Sequence, residues 1–401
     1  MVAHVSRPTT SLLPPELWLQ IFRLAASSDP SLYLVKYTPF ESHSDPSPSL
    51  KVKHAIVLVC RQWHALGTEI LFESVNVDHG LSALKHTLED DAEGEIRKRV
   101  RRAVVPYTSS RTPTYHPPPA LSILRQCPRL EVLVRPVSPG SNPWEDSQYQ
   151  YPVDVPSFPL LKRLDWWHDN EAACTGGINS LDDVLCQAPK LEYLSFGGQM
   201  SMGALRLQHR VHLPELKVLR LQRVNAIAIR QLCMWQMPTL AHVVIEQPPA
   251  NLECLQGLWD SIGAQVKSVE LGVDRQFFSQ DYIPTVVACC PEITELNYRV
   301  CLTSSPDFPK LECHPALQRV GIHGLALQCG GDLDVEAKLW DHIERHLTAY
   351  SKDGFPSLSE YVLYGEEWRP FVEHQRFQHA REVAAGLGRA LTLDVETPYS
   401  A

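Results

Sequence analysis

His342 and His346 stand four residues apart, the spacing at which two imidazoles share one helix face and could grip a metal ion. A zinc protease would follow the first histidine with a glutamate as general base. Ile343 stands there instead, with no third ligand nearby in sequence, so the pair is expected on a solvated helix face. Cys289-Cys290-Pro291 offers adjacent thiols, but its neighbours are apolar, and cysteine in such a setting behaves as a small packing residue. Gly-x-Ser-x-Gly, Gly-x-x-x-x-Gly-Lys and Gly-x-Gly-x-x-Gly are all absent, which removes the nucleophile elbow, the phosphate loop and the dinucleotide fingerprint. No catalytic residue, metal or cofactor is therefore expected, and the chain reads as non-enzymatic. The dense basic run, Arg97-Lys98-Arg99-Val100-Arg101-Arg102, has the composition of a nuclear import signal or an anion patch. Glu89, Asp90, Asp91, Glu93 and Glu95 precede it, so it reads equally as a charge-balanced connection into a strand.

The elements that position these residues follow from composition and period. The chain has 401 residues, 44% hydrophobic and 21% charged, which excludes disorder and leaves room for one large or two to three ordinary domains. Its net charge of -9 provides no broad electropositive surface, so nucleic acid is not an expected partner. The most apolar stretch, around 226–245, is broken by Arg230, Pro238 and His242, so no membrane span is expected. Eleven cysteines without C-x-x-C pairing suggest a reduced chain with a cytoplasmic or nuclear location.

Proline is abundant, 32 of 401 residues against roughly 5% on average, and it punctuates a repeat. Pro159-Leu161-Leu164-Trp166, Pro189-Leu191-Leu194-Phe196, Pro214-Leu216-Leu219-Leu221, Pro238-Leu240-Val243-Ile245, Pro291-Ile293-Leu296-Tyr298 and Pro315-Leu317-Val320-Ile322 share one pattern. Weaker copies start at Pro128, where Arg135 takes the last apolar place, at Ala264 and at Pro356. Successive anchors lie 24 to 31 residues apart, with a last step of 41, room for one strand, one short helix and two connections. A helix is expected to end before each proline, as in 178–187 and 282–290. Stacked side by side, such units give a curved parallel sheet backed by helices, and the pattern resembles an irregular leucine-rich-repeat solenoid over 120–401. The Asn or Cys usual after the leucine run is not consistently present, with Gln222, Gln247 and Gly272 near those places. An ordinary parallel α/β domain with proline-rich loops would read similarly. Ala390 to Val395 is expected to form a last strand after a helix at 374–387.

The segment before the repeats has another texture. Leu13-Pro14-Pro15-Glu16-Leu17 opens a helix with proline in its first turn, and Leu17, Ile21, Leu24 and Ala25 form a stripe widened by Trp18 and Phe22. Ala55 to Leu66 places Ile56, Val59, Cys60 and Trp63 at helical spacing. Some sixty residues support only a marginal core, so this wide apolar arc invites a partner.

Leu13-Pro14-x-Glu16-Leu17 with Ile21-Phe22, followed by Leu58-Val59-Cys60-Arg61-x-Trp63, resembles the two hallmarks of the F-box, over about 11–78. A Ser-, Pro- and Asp-rich insertion, 27–50, separates the halves and reads as a mobile loop tip. An α/β chain with an all-helical F-box, a connecting segment at 79–119 and leucine-rich-type repeats resembles fungal substrate receptors of Skp-Cullin-F-box ubiquitin ligases. That resemblance implies that Leu13, Pro14, Leu17, Ile21, Phe22, Leu58, Val59, Cys60 and Trp63 dock a Skp-type adaptor, and through it a cullin-RING ligase. The other reading of the same residues is a helical cap on a scaffold solenoid.

For the repeats, strand alternation turns Tyr193, Ser195, Val218, Arg220, His242, Val244, Ser268, Glu270, Glu295 and Asn297 onto the face away from the helices, which is expected to be open. Tyr193, Ser195, Arg220, His242, Glu270 and Glu295 are the expected contacts for a protein substrate, since the row mixes aromatic side chains with both charge signs. Trp166 and Trp167 must also point to opposite faces, although a buried pair against the adjoining helix is expected.

Overall fold

The computed structural model describes residues 13–26, 37–40, 47–77, 81–107, 109–110, 119–137, 148–149, 155–174, 176–202, 211–249, 253–279, 282–308, 313–324 and 333–394. Three helices come first: α1 (Pro15–Ala25), α2 (Ser47–Val59) and α3 (Arg61–Glu73). Pro15 presets the first turn of α1, and Glu16 lies at its positive end. The expected single helix across Ala55 to Leu66 is in fact two. Cys60 is extended, with φ -160°, and its Sγ accepts the Trp63 N–H at 3.4 Å, so the sulfur caps α3. Ser47 to Leu50, read as part of the insertion, is helical and belongs to α2. Phe22, Ile56 and Ile70 form the centre of this unit, with Trp18, Leu19, Trp63 and Leu66 around them. Gly67 permits the close approach of α2 and α3, because a Cβ there would lie 2.9 Å from Val57 Cγ1.

The strands are β1 (Ser74–Asn76), β2 (Arg102–Val104), β3 (Ser109–Ser110), β4 (Val132–Arg135), β5 (Gln148–Tyr149), β6 (Arg163–His168) and β7 (Tyr193–Gly198). They continue with β8 (Val218–Gln222), β9 (His242–Ile245), β10 (Ser268–Leu271), β11 (Glu295–Arg299), β12 (Arg319–His323), β13 (Glu360–Tyr364) and β14 (Ala390–Asp394). β3 and β5 pair with each other; the remaining strands form one 12-stranded sheet whose order follows the chain. Its neighbours are parallel throughout, from β1 beside β2 to β13 beside β14. Each unit thus touches mainly the units before and after it, as in a solenoid-like α/β array. The sheet starts at Ser74, so β1 and β2 join it from stretches read as F-box-like and as connecting segment.

The repeat prolines act differently from the expectation of helix termination alone. Leu161 N–H donates to Phe158 O, Leu191 to Ala188, Leu216 to Leu213, Leu240 to Met237, Ile293 to Cys290 and Leu358 to Phe355, over 3.0–3.4 Å. Each proline therefore occupies the second position of a β-turn, where its fixed φ is already correct. The chain then drops a buried aliphatic residue under the sheet and enters the strand. Where Pro315 stands, the His314 ring replaces the carbonyl, accepting the Leu317 N–H on Nδ1 at 3.3 Å.

Register matches the repeat residue for residue. Leu133, Leu164, Leu194, Leu219, Val243, Val269, Leu296, Val320 and Tyr361 form one continuous cross-strand row. This row faces the helices, sharing a core with Val184 of helix Leu181–Cys186, Leu258 of Glu253–Ile262, Val286 of Tyr282–Cys289 and Ile343 of Leu333–Ala349. The helix is not universal: among the described residues between β11 and β12 the return is a 3-10 turn at Val300–Leu302. Helix Gln375–Gly386 and β14 close the array as expected.

Candidate interaction face

The alternate row points away from the helices, and none of its members joins the helix-side core. Its registers are Tyr193–Val218–His242–Ser268–Glu295–Arg319 and Ser195–Arg220–Val244–Glu270–Asn297–Gly321–Val362. The direction is as expected, but the face is not open. Tyr193, Ser195, Val218, Arg220, Val244, Ser268, Glu270 and Asn297 are buried; His242 and Glu295 are half-buried, and Arg319 is exposed. An alternating strand fixes which way a side chain points, not whether something lies over it.

Over part of this face lies Tyr37-Thr38-Pro39-Phe40, from the insertion expected to be a mobile tip; its neighbours 27–36 and 41–46 lie outside the described residues. The Tyr37 ring stacks on His242 with centroids 4.7 Å apart. Its hydroxyl donates to Glu270 Oε2 at 2.9 Å and accepts from Asn297 Nδ2 at 2.9 Å. The Phe40 N–H donates to the same carboxylate oxygen at 2.8 Å. The Phe40 ring, 4% exposed, packs with Val362 and Tyr364, edge-on to His323 at 4.9 Å and with the Arg299 guanidinium 5.2 Å from its centroid. Phe40 adopts φ 59°, a left-handed backbone that costs a side-chain-bearing residue about 1–2 kcal/mol, so these contacts hold a strained turn. Gly321 lets the Asn297 amide reach Tyr37, since a Cβ there would overlap Asn297 Oδ1.

Glu270 is the electrostatic centre. It is 2% exposed, and burial raises its carboxyl to about 7 despite the Arg220 guanidinium and the Phe40 N–H, which favour the charged form; Glu246 adds to the rise. Arg220 pairs with Glu246, and against the penalty of burial the neighbouring carboxylates of Glu246 and Glu270 keep its guanidinium protonated. Burial, with Glu270 next, pushes the Tyr37 phenol well above its usual range, keeping it a donor. Arg220 and Tyr193, expected as leading substrate contacts, are thus internal: Tyr193 lies under the Arg163 guanidinium, 4.4 Å from its ring centroid. Two cavities flank the covered part. One of about 570 Å³ is lined by Tyr37, Pro39, Val218, His242, Glu295 and Arg319. The other, about 210 Å³, is lined by Arg163, Asp165, Trp167, Ser195 and Gln222. The Gln222 amide donates to Ser195 Oγ at 3.1 Å.

A second surface lies on the N-terminal helices. Leu17, Ile21 and Leu24 recur along one side of α1 and stay exposed, Leu17 at 42% and Leu24 at 80%, with Leu13 exposed just before the helix. At the end of α2, Leu58 is 80% exposed, with Val59 and Cys60 exposed beside it, as is Pro14 at the start of α1. Phe22, named with this set, is instead 1% exposed, and Trp63 is half-buried against it with centroids 4.8 Å apart. Their size and spacing on the stripe hid the fact that they hold the three helices together.

The remaining chemical candidates resolve into structure. His346 is fully buried, with Nε2 facing Thr303 O and Nδ1 facing the Tyr298 hydroxyl, each at 3.2 Å, and His342 Nε2 faces Val300 O at 2.9 Å. The pair is therefore a core network, not a solvated face, and burial followed by His342 lowers His346 to about 3. Among the described residues no group of three His, Cys, Asp or Glu could hold a metal ion, and no helix is long and apolar enough to cross a membrane. Cys290 is buried, as expected of a packing residue. In the basic run Arg97 donates to Leu88 O and Lys98 to Glu95, while Arg102 is buried on β2 and bonds Ser74, the pattern of a connection. Arg135, at an apolar place in the repeat, is buried but satisfied by the carbonyls of Val105, Pro106 and Ile178. Trp166 is buried, but Trp167 sits half-buried on the opposite face over Gly197, so the two do not form the expected buried pair.

No family model matches this chain, and no curated protein does. Among solved structures, the crystal structure of a protein from Bacteroides fragilis matches with a TM-score of 0.37 and 10% identity, over 90% of this chain and 86% of that one. A likeness of that degree carries no argument about fold or function.

Proposed function

We propose that this chain is a substrate receptor of a Skp-Cullin-F-box type ubiquitin ligase, in which α1–α3 form an F-box that docks a Skp-type adaptor and the leucine-rich-repeat-like array binds a protein substrate. The observation that carries the reading is the exposed stripe of Leu13, Leu17, Ile21, Leu24, Leu58 and Val59, on helices whose core, among the described residues, is a small cluster centred on Phe22, Ile56 and Ile70. An apolar row of this kind on a small unit favours a partner that covers it. The proposed adaptor contacts are accordingly Leu13, Pro14, Leu17, Ile21, Leu58, Val59 and Cys60, with Phe22 and Trp63 supporting them from beneath. Ubiquitin transfer would belong to other subunits, and the receptor would work in the cytoplasm or nucleus.

A helical cap on a scaffold is favoured by one observation, that α3 runs directly into β1 and so stands against the sheet edge. A cap alone gives no reason for α1 to keep large apolar side chains on its outer side. Purified Skp-type adaptor should bind the full chain at micromolar concentrations or tighter. Replacing Leu17 and Leu58 by Asp should abolish capture without shifting the unfolding midpoint, because both side chains are exposed. Absence of capture by the unaltered chain refutes the receptor reading and leaves the scaffold.

A further inference from the structure

We propose that the sheet face around Glu270 is a receptor for an extended peptide carrying a Tyr-x-x-Phe pair, and that Tyr37 to Phe40 occupy it as a competitor built into the chain. The inference deepens the substrate-receptor reading and rests on it for the identity of the natural partner.

The groups that hold the segment are those of peptide recognition rather than of core packing. A face meant only to be sealed by its own chain would be apolar, because a buried carboxylate is costly without donors. Here Glu270 and Asn297 project from β10 and β11, the Asn297 amide already donating to Glu295 at 3.0 Å, and the segment adds a backbone N–H from Phe40 and a phenol that donates to Glu270 and accepts from Asn297. Two aromatic subsites flank that polar centre. His242 offers a stacking plane for Tyr37, and Val362, Tyr364 and His323 form a pocket for Phe40 beneath the Arg299 guanidinium. The occupant does not fill the groove, since the cavity of about 570 Å³ runs beside Tyr37 and Pro39 toward Val218 and Arg319, room for a longer peptide. The occupant is also strained, Phe40 lying at φ 59°. A segment free of that turn could place the same two rings without it.

The tether decides the competition. Tyr37 to Phe40 lie between α1 and α2 on the same chain, and a short tether corresponds to an effective concentration on the order of millimolar. A free peptide of micromolar affinity must therefore displace the internal segment and will bind the unaltered chain at least ~10-fold more weakly than a chain whose segment is disabled.

Fluorescence anisotropy with a labelled VKYTPFES peptide tests this on the full chain. The Tyr37→Ala, Phe40→Ala double variant should bind at least ~10-fold tighter than the unaltered chain, and adding Glu270→Ala to it, which removes the acceptor of both bonds, should lose at least ~10-fold. Equal affinity of the unaltered and double-variant chains overturns the proposal, as does no binding by either or indifference to Glu270. Loss of cooperative unfolding in the double variant also overturns it, showing the segment to be part of the core. Tyr37→Phe, which keeps the ring and removes only its hydroxyl, should bind the peptide a few-fold tighter than the unaltered chain, and no gain again counts against competition. Adaptor capture by the same proteins keeps the two readings apart: peptide binding without capture sinks the ligase role alone, and capture without peptide binding sinks this inference alone.

Discussion

Replacing Glu270 with Gln should remove a component of the pH dependence of stability between about pH 4 and pH 7. Burial raises this carboxyl to about 7, against the opposing pull of Arg220 and the Phe40 N–H and with the help of Glu246; the Tyr37 hydroxyl also donates to it, and Asn297 is its cross-strand neighbour. In the unfolded chain a glutamate titrates near about 4.3, so the folded state holds the proton more tightly. The contribution to stability is fully present below about pH 4. As pH rises the unfolded chain ionises first, and stability falls by about 1.4 kcal/mol per unit until the folded group ionises near pH 7. The window from about 4.3 to about 7 makes the loss about 4 kcal/mol, a large share of the 5–15 kcal/mol typical of folded domains. Urea midpoints for both proteins at half-unit steps from pH 4 to 8 measure it. His323 and His346 titrate in the same range with the opposite slope, but both proteins carry them, so the difference between the two curves isolates Glu270. Parallel curves, differing by less than about 1 kcal/mol across the window, would refute the assignment of a buried, proton-holding carboxyl.

Truncating Leu194, Leu219 or Leu296 to Ala should each cost about 2–5 kcal/mol in denaturant unfolding, because all three are fully buried between strands whose backbone pairing prevents collapse around the cavity; near-neutral effects at all three would contradict the register. Acid should act through the buried imidazoles: His323 and His346 are pushed down to about 3, so their contribution is present above about pH 6.5 and lost as pH falls toward 3. His346→Gln should lose less stability than the unaltered protein over that range, and an equal loss would show the ring to be solvated.

The repeat was legible because its determinants are local. Proline at the second position of each turn and aliphatic residues at fixed offsets specify turn, strand and inward face within eight residues, and the cross-strand row from Leu164 to Val320 follows by stacking like on like. The exposed stripe on α1 was legible for the same reason, since helical period places Leu17, Ile21, Leu24 and Ala25 together. Period does not say which member of a wide stripe turns inward, and Phe22 did. Nor does a four-residue spacing say whether a helix face meets water or a neighbouring unit; His346 met Tyr298 and Thr303.

The sequence by itself thus determined the repeat units from β4 to β14 and the direction of the side chains at their repeat positions, while β1 and β2 joined the sheet from outside the stretch read as repeats. Tertiary structure alone decided what lies on the far face. Tyr37 and Glu270 are 233 positions apart, and Tyr37 and Asn297 are 260 apart. Their meeting depends on the summed geometry of the intervening strands and on how the N-terminal helices stand against the array, quantities that no short stretch encodes. A tyrosine, a proline and a phenylalanine in a polar insertion carry no periodicity, so the contact that buries the sheet's carboxylate becomes visible only when the strands are set side by side.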